Sequence, residues 1–386
     1  MGQNPLVNSL IEKKDLDAKE DVFPLKVVRC DKCGLVQTEK PLDSHKIYKD
    51  VDYLYFSSDM PGLSDYFEEY ARDVHDRFAS DDSLIVEIGS NDGIMLEHFA
   101  AIGHAVLGVD PATNVAVRAL AKGVPTIPLF FTDRLAHMIK NEIGQARVIY
   151  GNNCIAHIDD LDDVLKGVDT LLADDGVFIV ECNYWGGMVK NTNYALVYHD
   201  HFSYFTVQNW IDFGKRFGFE PFDAIVTPAQ GGSLRIFMAK DGRPKTDRYE
   251  GLLREETDNG YNTDRVCVQY GKNCVSEAKK LHGTIAEIKA DGKSIAGYGA
   301  AAKGFSVLKL ADIDETHIDY FVDDSPAKQG KYTPVTHIPI ISREQAEKKL
   351  PDYFFITAPN YADVIMFKEK ERGYKGGFIL CDSQIL

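Results

Sequence analysis

No apolar run in the sequence approaches the length of a bilayer crossing, and the opening MGQNPLVNSLIEKKDLD has no signal-peptide apolar core. A membrane partner is therefore not expected, and the expected address is the cytoplasm. Positive charge is in deficit: 43 Lys and Arg face 59 Asp and Glu, for a formal charge of −16, which argues against nucleic acid as the main partner. A small phosphorylated ligand is still allowed, because one pocket can be positive on an acidic protein. Cysteine is scarce. Seven in 386 residues, an odd number scattered over a long chain, do not make a disulfide framework. What is present is an ordinary apolar fraction of 44% in a chain long enough for two or three cored domains.

The order of patterns predicts four parts. Residues 1–75 read as a small irregular module, with the β-like run PLKVVRCDKCGLVQT and the aromatic patch YKDVDYLYFSS. Over 76–240, SLIVEIG, HAVLGVD, GVPTIPL, ARVIYG and GVFIVEC are short apolar runs ending in turn residues, alternating with helical segments. That alternation predicts a doubly wound parallel α/β sheet. PFDAIVTPAQGGSLRIFMAK then reads as an antiparallel hairpin. Residues 241–292 are charged and helical in pattern, a bridge. Over 293–386, KSIAGYG, HIDYFVDD, PDYFFITA and GGFILCD predict a second, Rossmann-like α/β domain.

EIGSNDG lies between a buried strand and a helix, where glycine lets backbone N–H groups approach a ligand. The spacing from Gly89 to Gly93 is not the G-x-G-x-x-G of a dinucleotide site, and Asp92 would repel a pyrophosphate. A ligand with an amino-acid end suits the loop better. HAVLGVD ends on Asp110, placed to accept from ribose hydroxyls or to cap the next helix. Loop, acid and late hairpin, in that order, suit S-adenosylmethionine on a class I methyltransferase sheet. The expected cofactor residues are Glu87, Gly89, Ser90, Asn91, Gly93 and Asp110. Asn152 and Asn153 of GNNCIAHID either join them or form a turn.

VYHDHFSYFT, residues 197–206, sets an acid between two histidines among aromatics. A metal site is disfavoured because no third ligand motif accompanies His-x-His. In an extended segment His199 and His201 share one face while Tyr198 and Asp200 share the other, so a turn is expected if they are to meet. By its motifs DKCGLVQ, YLYFSS, EIGSNDG, CIAHI, YHDHFSYF, GYGAAAKG and VDDSPAKQGKY with HIPI, nearly the whole chain resembles the S-adenosylmethionine-dependent sugar C-methyltransferases acting on nucleotide-linked 4-keto-deoxysugars.

The resemblance implies methyl transfer to C-3, with His201 as the base that forms an enolate. It also implies Tyr198 and Asp200 on the substrate side, where relatives often carry Glu at the acid position, and an active-site His157. A base near neutral pKa is what a carbon acid beside a ketone requires. Tyr53 and Tyr55 either lend phenols to the sugar pocket or pack in a core, and packing is favoured for His199. The resemblance further implies that the C-terminal domain holds the nucleotide, through Tyr298, Gly299, Lys303, Asp323 and Lys328, with Gly297 in the same loop. Those glycines otherwise serve to pack helix on strand.

Cys30 and Cys33 have zinc-knuckle spacing, but a closed site takes four ligands. The family carries a second pair upstream of a stretch that MGQNPLVNSL resembles, so either zinc is lost, or the start is truncated, or His45 and another group complete the incomplete site. Three other functions remain open. An NAD-dependent nucleotide-sugar oxidoreductase or epimerase lacks its fingerprint here. A non-catalytic nucleotide-sugar-binding protein has no need of Gly89, Asp110 and His201 together. An O-methyltransferase on the same fold needs no carbon-acid base.

Overall fold

The computed structural model describes residues 2–6, 9–49, 53, 55–60, 62–80 and 82–386. Seven strands form the central sheet: β1 (Leu84–Ile88), β2 (Ala105–Val109), β3 (Thr126–Ile127), β4 (Ala146–Asn152), β5 (Leu172–Asn183), β6 (Glu220–Thr227) and β7 (Ser233–Ala239). Their order across the sheet is β6-β7-β5-β4-β1-β2-β3. All pairs are parallel except those made by β7, which runs antiparallel to both β5 and β6. This is the class I methyltransferase sheet, with the expected hairpin as its antiparallel edge.

Alternation along β1 explains why the sheet is covered on both faces. Leu84, Val86 and Ile88 enter one core with Leu107, Val109 and Ile149, while Ile85 enters the other with Val148 and Tyr150. The second core is closed by the helix Leu63–Phe78, whose Phe67, Tyr70, Ala71, Val74 and Phe78 form a buried stripe at helical spacing. That helix therefore belongs to the central sheet, and the boundary expected at 75 moves back to about 62. The bridge is also divided: Asp247–Asn259 packs on the central core, and Asp264–Ala290 on the core of the C-terminal domain.

The C-terminal sheet has five parallel strands: β8 (Ile295–Tyr298), β9 (Phe321–Val322), β10 (Ile340–Ile341), β11 (Tyr353–Ile356) and β12 (Gly377–Ile379), in the order β10-β9-β8-β11-β12. Four of these were expected from the sequence; β10, two residues beginning at the last of HIPI, was too short to stand out. Both sheets reverse direction at their first strand, the switch point where such folds place ligands.

The parts are joined around one segment. Ser203–Tyr204 pairs antiparallel with Val36–Thr38 of the N-terminal module, which pairs in turn with Val27–Arg29. Leu25 and Val36, Trp185 to Tyr204, the helix Asp264–Ala290 and one face of the C-terminal sheet share a single apolar cluster. The segment rich in His and Tyr thus sits where three parts of the chain converge. Among the described residues, no helix is long and apolar enough to cross a membrane.

Candidate active site

A cavity of about 470 Å³ opens at the C-terminal ends of β1, β2 and β4. Tyr53, Tyr55, Glu87, Gly89, Ser90, Asn91, Asp110, Asn152, Asn153 and His157 all line it. Gly89 has φ +67, and a Cβ built there would lie 2.4 Å from the Cys154 Cβ, so backbone and packing both demand glycine. Gly93, with φ +78, starts the following helix from outside the lining.

Asp110 accepts from the Asn91 N–H (2.9 Å) and the Ala112 N–H (2.9 Å), so it both clamps the glycine loop and supports the next helix. Burial outweighs those two bonds and raises its pKa to about 6. Burial likewise pushes Glu87 well above the usual carboxylate range, although Tyr150 donates to it at 3.2 Å. Ser90 Oγ, Asn152 Oδ1 and Asn153 Oδ1 are buried with no partner among the described residues. Unpaired polar atoms beside a cavity of ligand size fit S-adenosylmethionine, whose ammonium and hydroxyls would use the acceptors.

Asp92 corrects one expectation. Its side chain turns away from the cavity to Ser58, Arg118 (3.4 Å) and Lys122 (3.4 Å), so it repels nothing bound there. Asn91 also spends its side chain locally, accepting from the Ser57 N–H (2.9 Å) and donating to the Tyr55 carbonyl (3.0 Å). The aromatic patch is thereby tied over the cavity. Asn114 bonds both backbone groups of Tyr53, and Lys49 Nζ donates to the carbonyls of Pro111 (3.1 Å) and Pro128 (2.7 Å).

The turn expected in VYHDHFSYFT is present: the His201 N–H donates to the Tyr198 carbonyl at 3.1 Å. His201 Nδ1 lies 2.7 Å from the Leu196 carbonyl, which only accepts, so Nδ1 carries the proton and Nε2 the lone pair. The Tyr198 hydroxyl donates to that lone pair at 2.8 Å. His201 is 4% exposed and does not itself line the cavity. The intervening wall includes His157, whose ring centroid is 5.0 Å from that of His201. An imidazole open to the donor pocket is therefore corrected to a buried one whose basic nitrogen is taken up by the Tyr198 hydroxyl, and Tyr198 and Asp200, like His201, lie outside the cavity lining.

Burial, then the neighbouring His157, lower the proton affinity of His201 well below that of a free imidazole, and burial takes His157 to about 4. Both rings are neutral at pH 7. Asp200 is buried with no cation or donor on its carboxylate among the described residues, and desolvation raises its pKa to about 7. His199 turns to the N-terminal module, its Nε2 3.2 Å from the Phe23 carbonyl, and packs as expected.

Two lining residues carried no sequence motif. Tyr48 Oη lies 2.7 Å from His157 Nδ1, and its only signal was its place at the head of the aromatic patch. Gln230, in the turn between β6 and β7, donates from Nε2 to the Tyr55 hydroxyl at 3.2 Å, and no local pattern marks it.

The C-terminal expectations change. The Tyr298 side chain points into that domain's core and donates to Glu369 at 3.1 Å, so it offers nothing to a ligand. Asp323 accepts from the N–H groups of Ala300 (2.8 Å) and Ser325 (2.9 Å) and pairs with Lys328 (3.2 Å), which uses both charges to hold the loop around Gly299. Gly297 is demanded by packing: a Cβ there would meet the Phe321 ring at 2.1 Å. Cys30 and Cys33 remain a pair, and among the described residues no three His, Cys, Asp or Glu side chains form a metal group. His45 instead lines the cavity, its ring 4.9 Å from Phe130. Two thiols without further ligands do not fit a closed zinc site.

Gly89→Ala is expected to destabilise the protein by about 2–3 kcal/mol and to weaken binding of S-adenosylhomocysteine about tenfold, from left-handed strain plus the Cys154 clash. Thermal unfolding and calorimetric titration check it; unchanged affinity would show that the loop does not shape the cofactor site.

Three family models match the chain: "Putative zinc binding domain" over residues 1–48, "Methyltransferase domain" over 63–223 and "C-methyltransferase C-terminal domain" over 228–381. C-methyltransferase NovU of Streptomyces niveus is 35% identical over 379 residues, covering 97% of this chain and 90% of the relative. The ubiquinone biosynthesis O-methyltransferase of Bartonella tribocorum (strain CIP 105476 / IBS 506) is 25% identical over 134 residues, 33% of this chain and 54% of that one. Magnesium protoporphyrin IX methyltransferase of Synechocystis PCC 6803 superposes with a TM-score of 0.37 at 13% identity, over 51% of this chain and 92% of its own. Sheet order, cofactor cavity and a full-length relative agree: the chain belongs to the S-adenosylmethionine-dependent C-methyltransferases.

Proposed function

We propose that this enzyme methylates C-3 of a nucleotide-linked 4-keto-deoxysugar, with His201 as the base; a C-terminal domain that holds the nucleotide is part of the reading on the family resemblance alone. The observation that carries this reading is the neutral Nε2 of His201, backed by the Leu196 carbonyl and met by the Tyr198 hydroxyl, beside the wall of the cofactor cavity. Methylation of carbon needs a base because a C–H bond next to a ketone is not a nucleophile until its proton leaves. Bound in the cavity, S-adenosylmethionine supplies an electrophilic methyl group.

The protein's own part is to move one proton. Tyr198 passes its hydroxyl proton to His201 Nε2 as its oxygen takes the proton from C-3. The C–H electron pair becomes the second bond between C-3 and C-4, and the keto oxygen takes up the negative charge. His201 ends as the cation and Tyr198 as a phenol again. Tyr48, Tyr53 and His157 wall the space and exclude water from the enolate.

The test separates proton removal from methyl transfer. UDP- and dTDP-linked 4-keto-6-deoxysugars are incubated with the enzyme in D2O, first without donor and then with labelled S-adenosylmethionine. Deuterium entry at C-3 without donor, followed by a C-methyl product, is expected. A methyl on oxygen, or no exchange in any sugar of the panel, overturns the proposal.

A further inference from the structure

Lys303 opens the helix Ala302–Leu310, just after the glycine-containing loop of the C-terminal sheet. Its charge was expected to help hold the nucleotide at that loop, but the fold takes it elsewhere. Its Nζ donates to the backbone carbonyl of Gln230 at 3.0 Å and lies 3.3 Å from Gln230 Oε1. Gln230 belongs to the wall of the cofactor cavity. The same helix packs against Tyr194–Leu196, the turn whose Leu196 carbonyl holds His201 Nδ1. The ammonium, itself outside the cavity lining, is thus bound to a wall residue from a helix that also packs on the support of the histidine. It is close enough that its charge helps to lower the proton affinity of His201.

Among the described residues no carboxylate pairs with Lys303, and desolvation lowers its pKa to about 8. Two neutral oxygens of one residue hold a cation that has lost much of its water. An uncompensated cation is costly, and such groups are kept where negative charge arrives during function. The backbone of Gln230 points the same way: it sits at φ 53, a left-handed conformation uncommon for a residue with a side chain, although glycines follow at 231 and 232.

We propose that Lys303 is the catalytic cation that faces the keto oxygen and stabilises the enolate, and that Gln230 is the positioning residue that holds it there. This rests on the keto-sugar reading above. When the C-3 proton leaves through Tyr198 to His201, the electron pair ends on the oxygen at C-4, and the Lys303 ammonium compensates it. No oxidant or reductant enters. A diphosphate would carry its charge before and after the reaction alike, so a lysine on it would tighten binding uniformly. Charge on the enolate oxygen develops only on the way to the transition state, where a desolvated cation accelerates the step.

The experiment uses the full-length enzyme with dTDP-4-keto-6-deoxyglucose as probe, in D2O without methyl donor, reading deuterium entry at C-3. Lys303→Met is expected to slow exchange about 100-fold at saturating sugar, with S-adenosylhomocysteine affinity unchanged within about threefold. Lys303→Arg is expected to recover part of the rate and to lack the decline expected of the wild type above about pH 8, because guanidinium stays charged there. Gln230→Gly suits the positive φ and keeps the carbonyl; it is expected to slow exchange about tenfold through kcat rather than KM.

Exchange by Lys303→Met at the wild-type rate overturns the assignment alone. So does a loss confined to KM, which would return the lysine to a phosphate. A wild type that exchanges neither this sugar nor any of the panel overturns the keto-sugar reading and this assignment with it.

Discussion

His201→Asn is expected to lower kcat about 10³-fold while leaving S-adenosylhomocysteine affinity within about twofold. The asparagine amide can still donate to the Leu196 carbonyl, but the nitrogen that receives the Tyr198 proton is gone. Loss of the ring against Tyr198, 4.0 Å away by centroid, costs about 1–2 kcal/mol of stability, which does not unfold a domain of ordinary stability. Tyr198→Phe is expected to fall to a similar rate, and the double variant no further, because the two groups act as one relay. Single-turnover methyl transfer measures all three. Since burial, His157 and Lys303 lower the proton affinity of His201, the wild type is expected to need no more than neutral pH for a fully basic ring. Near-wild-type turnover by His201→Asn would end its role as base.

The central sheet was legible because its strands are buried on both faces, which makes each a short apolar run bounded by turn residues, as in Leu84–Ile88 and Ala146–Asn152. Gly89 was legible for a similar reason, since one position carries both a left-handed φ and a close approach to Cys154. What stayed hidden depends on contacts far apart in the chain. Nothing local in Val36–Thr38 says that it will pair with Ser203–Tyr204 and so seat the N-terminal module on the catalytic turn. Tyr298 lay inside a glycine motif, yet strand alternation sends its side chain to the core, while Lys303, one helical start later, reaches Gln230 in the neighbouring domain. Asp92 does not point in the direction assumed for it, because Arg118 on the next helix and Lys122 at its C-terminal end draw it away.

Asp200→Asn is expected to change the pH dependence of stability strongly. The carboxylate is 5% exposed and burial raises its folded pKa to about 7, against about 3.9 in an unfolded chain. The folded state therefore binds this proton more tightly than the unfolded one. The stability it contributes is full below about pH 3.9 and is lost as pH rises through 7. Three pKa units at about 1.4 kcal/mol each set a ceiling of about 4 kcal/mol on that loss. Asparagine keeps the shape and cannot ionise, so the stability of the variant relative to wild type is expected to climb between pH 4 and 7 and to level off above. Urea unfolding at half-unit pH steps gives the curve. Activity is expected to move the other way, falling about 100-fold at pH 8, because an acid buried among Tyr48, Tyr53 and Tyr198 with no partner among the described residues has its use in the reaction rather than in the fold. A flat difference curve would mean that the carboxylate is solvated, and a stable variant with full activity would make its burial an accident of packing.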